Sequence, residues 1–206
     1  MTNQDNFMKP QGYITMVLHN GGSYDIKTNS FSDDANIIDT VEFPNLIVSN
    51  ASILMASRMA PSITGHINVP TNTHYYSSGI THLALGVGAS STTVVTPSVN
   101  KLSNEVCRKK FDQWTFIDVN GNVSSSYPTN VLKFSTTFSN QPHIGSYAGE
   151  AVPLTEMGLF GGGISLDGNS TPINDIDGGT MFNYKVFDVW NKPMGSSLTI
   201  MWKITF

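Results

Sequence analysis

Glu150 and Glu156 are a close pair of carboxylates whose chemistry could serve hydrolysis. A glycosidase uses two such groups across the scissile bond, one as acid and the other as base or nucleophile. Nothing in the sequence sets their separation. The simpler reading puts Glu150 on the surface and makes Glu156 a structural acceptor for backbone amides. His66, His74 and His82 lack the helical or strand spacing of metal ligands, so a zinc site would require tertiary approach. Asn174-Asp175-Ile176-Asp177-Gly178 offers carboxylates around a glycine bend, as a hard cation requires, but lacks the later glutamate of an EF-hand. An Asx-rich turn accounts for the Asp175/Asp177 loop equally simply.

Gly161-Gly162-Gly163 runs into Ile and Ser without the Lys that a P-loop places on phosphate. Leu83 to Ala89, LALGVGA, lacks a third glycine to open a nucleotide-binding helix. Both read as turns. A Gly-x-Ser-x-Gly nucleophile elbow is missing too. Tyr75, Tyr76, Tyr127 and Tyr147 fall in polar, loop-like stretches, where a ring stacks on a sugar or a protein partner, or clamps its own loop.

Composition narrows the classes. The chain has 206 residues, 13% charged, with a net charge of -4. Its polarity comes from Ser, Thr, Asn and Gly, as in a β-rich protein with many loops. The only basic cluster, Arg108-Lys109-Lys110, is too short to displace counterions from a nucleic-acid backbone and reads as a solvated face. We therefore expect no nucleic-acid partner. Cys107 is the single cysteine, which excludes an internal disulfide and predicts a buried or half-buried thiol. The first residues lack signal-peptide character, and no apolar run is long enough to span a bilayer, so we expect cytoplasmic synthesis and no membrane partner.

The elements that must position these groups are strands. Leu198, Ile200, Trp202, Ile204 and Phe206 alternate with Thr199, Met201, Lys203 and Thr205, the period of a half-buried strand. Upstream, Phe182, Tyr184 and Val186 share a face until the pattern slips at Phe187 and Val189, which predicts a bulge or two buried faces near the strand's end. With the turn chemistry of Asn191 to Gly195, the whole reads as an antiparallel hairpin at the centre of the core. A first hairpin is expected from Tyr13 to Leu18, through His19-Asn20-Gly21-Gly22, to extended chain at Tyr24. Pro44 demotes Val41 to Val48 to an edge or interrupted strand. Further strands are expected at Ile80 to Val87, Leu132 to Phe138 and Leu154 to Phe160, and a hairpin around Asn120-Gly121. Short helices are expected over Ala51 to Met59 and, from Leu102 and Val106, within Ser98 to Lys109.

These signals predict an all-β, antiparallel sandwich, jelly-roll-like among its possible arrangements, with one or two short helices. Residues 1–12 read as a flexible arm and 13–206 as a single domain.

Three blocks carry a resemblance. They are Pro44-Asn45-Leu46-Ile47-Val48 with the apolar segment after it; Leu83-Ala84-Leu85-Gly86-Val87-Gly88 with Leu102-Ser103-Asn104-Glu105-Val106-Cys107-Arg108; and Leu154-Thr155-Glu156-Met157-Gly158-Leu159-Phe160 with the final strand. In this order and spacing the chain resembles a group of tailed-bacteriophage virion structural proteins associated with tail, neck or fibre. The resemblance implies a non-enzymatic virion component without cofactor or catalytic site. Such a component assembles in multiple copies and contacts portal, neck, tail or capsid proteins. A host-surface carbohydrate-binding module is the alternative. We further expect Glu156 to be a buried or half-buried acceptor beside a tight Gly158 turn, with Arg108 as its partner.

Overall fold

The computed structural model describes residues 11–47, 51, 79–90, 92–124, 129–139, 150–161 and 179–206. Nine strands form one antiparallel sheet: β1 (Gln11–Asn20), β4 (Asn36–Ile47), β5 (Ile80–Gly86), β6 (Glu105–Lys110), β7 (Gln113–Phe116), β8 (Val131–Phe138), β9 (Val152–Gly161), β10 (Thr180–Lys192) and β11 (Ser197–Thr205). β2 (Tyr24–Asp25) and β3 (Ser30–Phe31) pair separately. The order in the large sheet is β6-β5-β9-β10-β4-β1-β11-β8-β7. Its two halves meet through a short seam, where Asn183 and Tyr184 of β10 pair with Ile47 and Leu46 of β4. They then fold face to face. Ile14, Met16, Ile200 and Trp202 of one half join Leu83, Leu85, Met157 and Leu159 of the other in a single buried cluster. Each such side chain contributes about 1.5–3 kcal/mol by leaving water. The expected all-β, sandwich-like class is what the described residues adopt.

The halves also meet at the opposite margin. Strands β6 and β7, at the two ends of the sheet order, are joined by Phe111 and Asp112 alone. Phe111 N–H donates to Thr81 of one half and Asp112 N–H to Ser135 of the other. The Lys109 ammonium donates to the Thr137 carbonyl at 2.8 Å, and Asp112 Oδ2 accepts from the Thr137 amide at 2.7 Å. Lys109 and Asp112 are themselves paired at 2.7 Å.

The alternation in β11 holds: Leu198, Ile200, Trp202 and Ile204 are buried in the core and Phe206 packs against it. The hairpin does not. β10 pairs with β9 and β4, whereas β11 pairs with β1 and β8. Alternation reports which face is buried but not which strand lies alongside. Here the turn after Lys192 carries the chain from one half to the other. The buried Lys192 ammonium fixes it by donating to the carbonyls of Ser139 (3.0 Å) and Ser196 (2.7 Å). The slip in β10 is present as two register shifts. The first places Phe182 in the main core and Tyr184 in a second cluster, with Val186 packed against that cluster, so Phe182 and Tyr184 do not share a face.

The first hairpin is also repartnered, because β1 pairs with β4 and β11 while the chain at Tyr24 pairs with β3. The turn glycines behave as expected: Gly21 and Gly22 take φ of 63° and 67°. The expected edge or interrupted strand is not found: β4 runs unbroken from Asn36 to Ile47 between β10 and β1, and Pro44 is accommodated because that stretch pairs with β1 alone. At Asn120-Gly121 the turn forms, closed by the Ile117–Val123 bridge, but the strand partner of β7 is β8. No helix forms over Ser98 to Lys109. Glu105–Lys110 is strand, and Leu102 and Val106 are buried in different clusters, so their spacing does not describe one helical face. The Ala51 to Met59 helix lies outside the described residues, apart from the buried Ala51.

Candidate functional site

Among the described residues, two of the places on the outer faces of the sheet that gather polar side chains stand out, and Glu156 is the centre of the first. It is fully buried in β9, on the face away from the main core. Its Oε1 accepts from the amides of Gly88 (3.1 Å) and Asn104 (2.9 Å). Its Oε2 accepts from the Ser103 amide (2.9 Å) and the Tyr184 hydroxyl (2.7 Å). Four donors therefore satisfy the carboxylate, as a buried charged acceptor requires. Burial, together with the bond to Glu156, pushes the Tyr184 phenol well above its usual range.

The sequence around it is shaped by this approach. A Cβ on Gly86 would lie 2.7 Å from Glu156 Cγ and from the Asn104 carbonyl, and one on Gly88 would lie 2.5 Å from the Asn104 amide. The LALGVGA glycines are thus required for close packing, with no phosphate role needed to explain them.

Glu156 is thus the structural acceptor for backbone amides, and Glu150 is exposed at the approach to β9. The expected Arg108–Glu156 pair is not formed. Arg108 instead makes a two-pronged contact with Glu105, 2.8 Å from Nε and 2.7 Å from Nη2, and its guanidinium lies 3.7 Å from the centre of the Phe160 ring. Arg108 is buried, so Arg108-Lys109-Lys110 is not a uniformly solvated face. Gly158 is not at a turn but inside β9, where an added Cβ would crowd the Asn183 carbonyl at 3.0 Å. His82 is buried with Nδ1 beside the Thr81 hydroxyl. His66, His74, Tyr75, Tyr76, Tyr127, Tyr147 and the Asp175/Asp177 loop lie outside the described residues. Among the described residues no three His, Cys, Asp or Glu side chains group as metal ligands would. Cys107 is fully buried, and burial pushes its thiol up.

The second place is a groove of about 610 Å³ on the outer face of the other half. Its floor is the outward-facing row of β4, β1, β11 and β8. Tyr13 lies opposite Lys203, and Lys203 lies opposite Lys133. The β2–β3 hairpin makes one wall. Gln113 holds it by accepting from the Ile26 amide (2.8 Å) and donating to the Tyr24 carbonyl (3.3 Å), and Lys133 by donating to the Tyr24 hydroxyl and Asn29. The turn from Ile117 to Val123 makes the other wall, braced by Asp118 Oδ1 accepting from the amides of Asn120 and Asn122.

At one end of the groove Glu42 accepts from the Tyr13 hydroxyl (3.0 Å) and from Thr15 (3.2 Å). The bond to Glu42 raises the Tyr13 pKa. At the other end, burial and then the neighbouring Lys203 charge lower the pKa of Lys133. Burial, reinforced by Asp25, pushes the Tyr24 phenol up to about 12. Sequence reasoning missed this site. The outward register of Lys203 was legible in the terminal alternation, but its neighbours belong to distant strands.

These features define an antiparallel β-sandwich-like protein with a sealed carboxylate on one outer face and an open polar groove on the other. No protein-family model matches the chain, and no curated protein matches it.

Proposed function

We propose that the chain is a non-enzymatic structural component of a tailed-bacteriophage virion, assembling in several copies at the neck, tail or a capsid vertex. One observation supports this reading beyond the resemblance itself. Two of the three resembling blocks converge on a single structural device, in which Gly88, Ser103 and Asn104 are tied to Glu156 and Arg108 is laid over Phe160. The residues that carry the likeness build a scaffold. Exposed Ile37, Ile38, Val189 and Trp114 supply apolar surface for contacts with further copies or with other virion proteins.

Light scattering of the purified protein over a concentration series, with and without the first ten residues, tests the assembly. A discrete oligomer that loses subunits on truncation is the expected result. A monomer at every concentration overturns self-assembly.

A second reading, a module that binds host-surface carbohydrate, is favoured by the groove lined by Tyr13, Glu42 and Lys203. Its volume is that of a small-ligand site.

A further inference from the structure

We propose that the groove between the β2–β3 hairpin and the Ile117 to Val123 turn binds an anionic saccharide, with Lys133 and Lys203 receiving its oxyanion and Tyr13 and Glu42 its sugar ring. The proposal rests on the carbohydrate-binding reading and adds the charge class and the residues. Lys203 and Lys133 are direct cross-strand neighbours, an arrangement that costs stability because like charges repel at this spacing. An oxyanion seated between the two ammonium groups removes that repulsion and makes charge-assisted hydrogen bonds. Lys133 is already held in place by Tyr24 and Asn29. Lys203 is exposed and has no hydrogen-bond or ion-pair partner among the described residues, so its donors are free for a ligand.

The other end of the groove has different chemistry. Tyr13 is exposed, and its hydroxyl is anchored on Glu42, which fixes the ring as a surface on which a sugar can stack. Glu42 has lone pairs left to accept from sugar hydroxyls. From Glu42 on β4 to Lys133 on β8 the floor crosses three interstrand steps of about 4.8 Å each, roughly the length of a short oligosaccharide, with Tyr13 and Lys203 side by side between them. A neutral glycan would leave the paired lysines unanswered. A free inorganic anion would leave the aromatic end unused.

The oxyanion is a carboxylate or a phosphate, and the experiment separates the two. Titration calorimetry of the full chain uses three probes: a galacturonic acid tetrasaccharide, a phosphate-bearing oligosaccharide and neutral maltotetraose, with inorganic phosphate as competitor. The expected result is that at least one acidic probe binds and maltotetraose does not. Lys203→Gln should then weaken acidic binding about tenfold or more, the loss of a charged hydrogen bond, without lowering the melting temperature, since it also relieves the repulsion with Lys133. Tyr13→Ala should weaken it as well. Binding of all three probes with no effect of Lys203→Gln overturns the charge assignment and leaves carbohydrate recognition standing. Acidic binding unaffected by Lys203→Gln or Tyr13→Ala overturns the location. Binding of inorganic phosphate alone overturns the saccharide. No binding of any probe overturns both the proposal and the carbohydrate reading beneath it.

Discussion

The Tyr184 hydroxyl donates to Glu156 Oε2 at 2.7 Å, linking adjacent strands β10 and β9 on the outer face of the sheet. The amides of Gly88, Ser103 and Asn104 reach the same carboxylate from above. One side chain therefore fastens two separate loop segments to the sheet beneath them. Glu156→Gln replaces one acceptor oxygen with an NH₂ group that faces existing donors. We expect a loss of about 2–4 kcal/mol, read as a lower urea midpoint at unchanged slope. Unaltered stability would remove Glu156 from the centre of the fold. Gly88→Ala tests the same contact sterically, since its new Cβ would meet the Asn104 amide.

Stability should rise with pH through a defined window. Burial lowers the Lys192 pKa from 10.5 to about 8. Between those values the unfolded chain binds the proton more strongly than the folded one, so raising the pH favours the folded state. Lys133 and Lys185 are shifted in the same direction, also by burial. Tyr24 and Tyr184 act oppositely. Their pKa values are raised on folding, so stability falls once unfolded tyrosine ionises near pH 10. A urea midpoint that climbs from pH 8 toward pH 10 and declines beyond it is the expected profile. Lys192→Met should flatten the climb, and an unchanged slope in that variant would show that the buried ammonium is not its source.

The seam between the halves should open first. Beyond its two paired positions, β4 is held to β10 by side chains: Phe43 stacks on Phe187 with ring centres 5.5 Å apart, Lys185 lies over Phe43, and Trp190 donates to Asp39 at 2.7 Å. Phe187→Ala should cost about 3–4 kcal/mol and should speed hydrogen exchange in β4 around Val41 to Phe43 before it affects β1. Uniform acceleration across the sheet would mean that the seam is not a separate weak point.

What the sequence revealed was local. The face of each residue in β11 followed from its alternation, the glycine turns from their dipeptides, and the role of Glu156 from the rarity of catalytic pairs. What it concealed was partnership. Lys192 and Ser197 bracket a short turn, yet the strands they bound lie in opposite halves. Arg108 was matched to Glu156 by charge, but a register shift at Leu85/Gly86 accompanies its pairing with Glu105 instead. The groove was invisible for the same reason. Tyr13, Lys133 and Lys203 become neighbours only through pairings of β1, β11 and β8 that no local pattern encodes.

The corner at Phe111 and Asp112 has a bearing on crowding. Where β8 runs past the start of β7, both backbone groups of Thr137 are occupied by Lys109 and Asp112. An incoming strand finds no open hydrogen-bonding template there, and charged side chains stand in its way. Molecules crowded together are thus hindered from adding strand to strand at this corner.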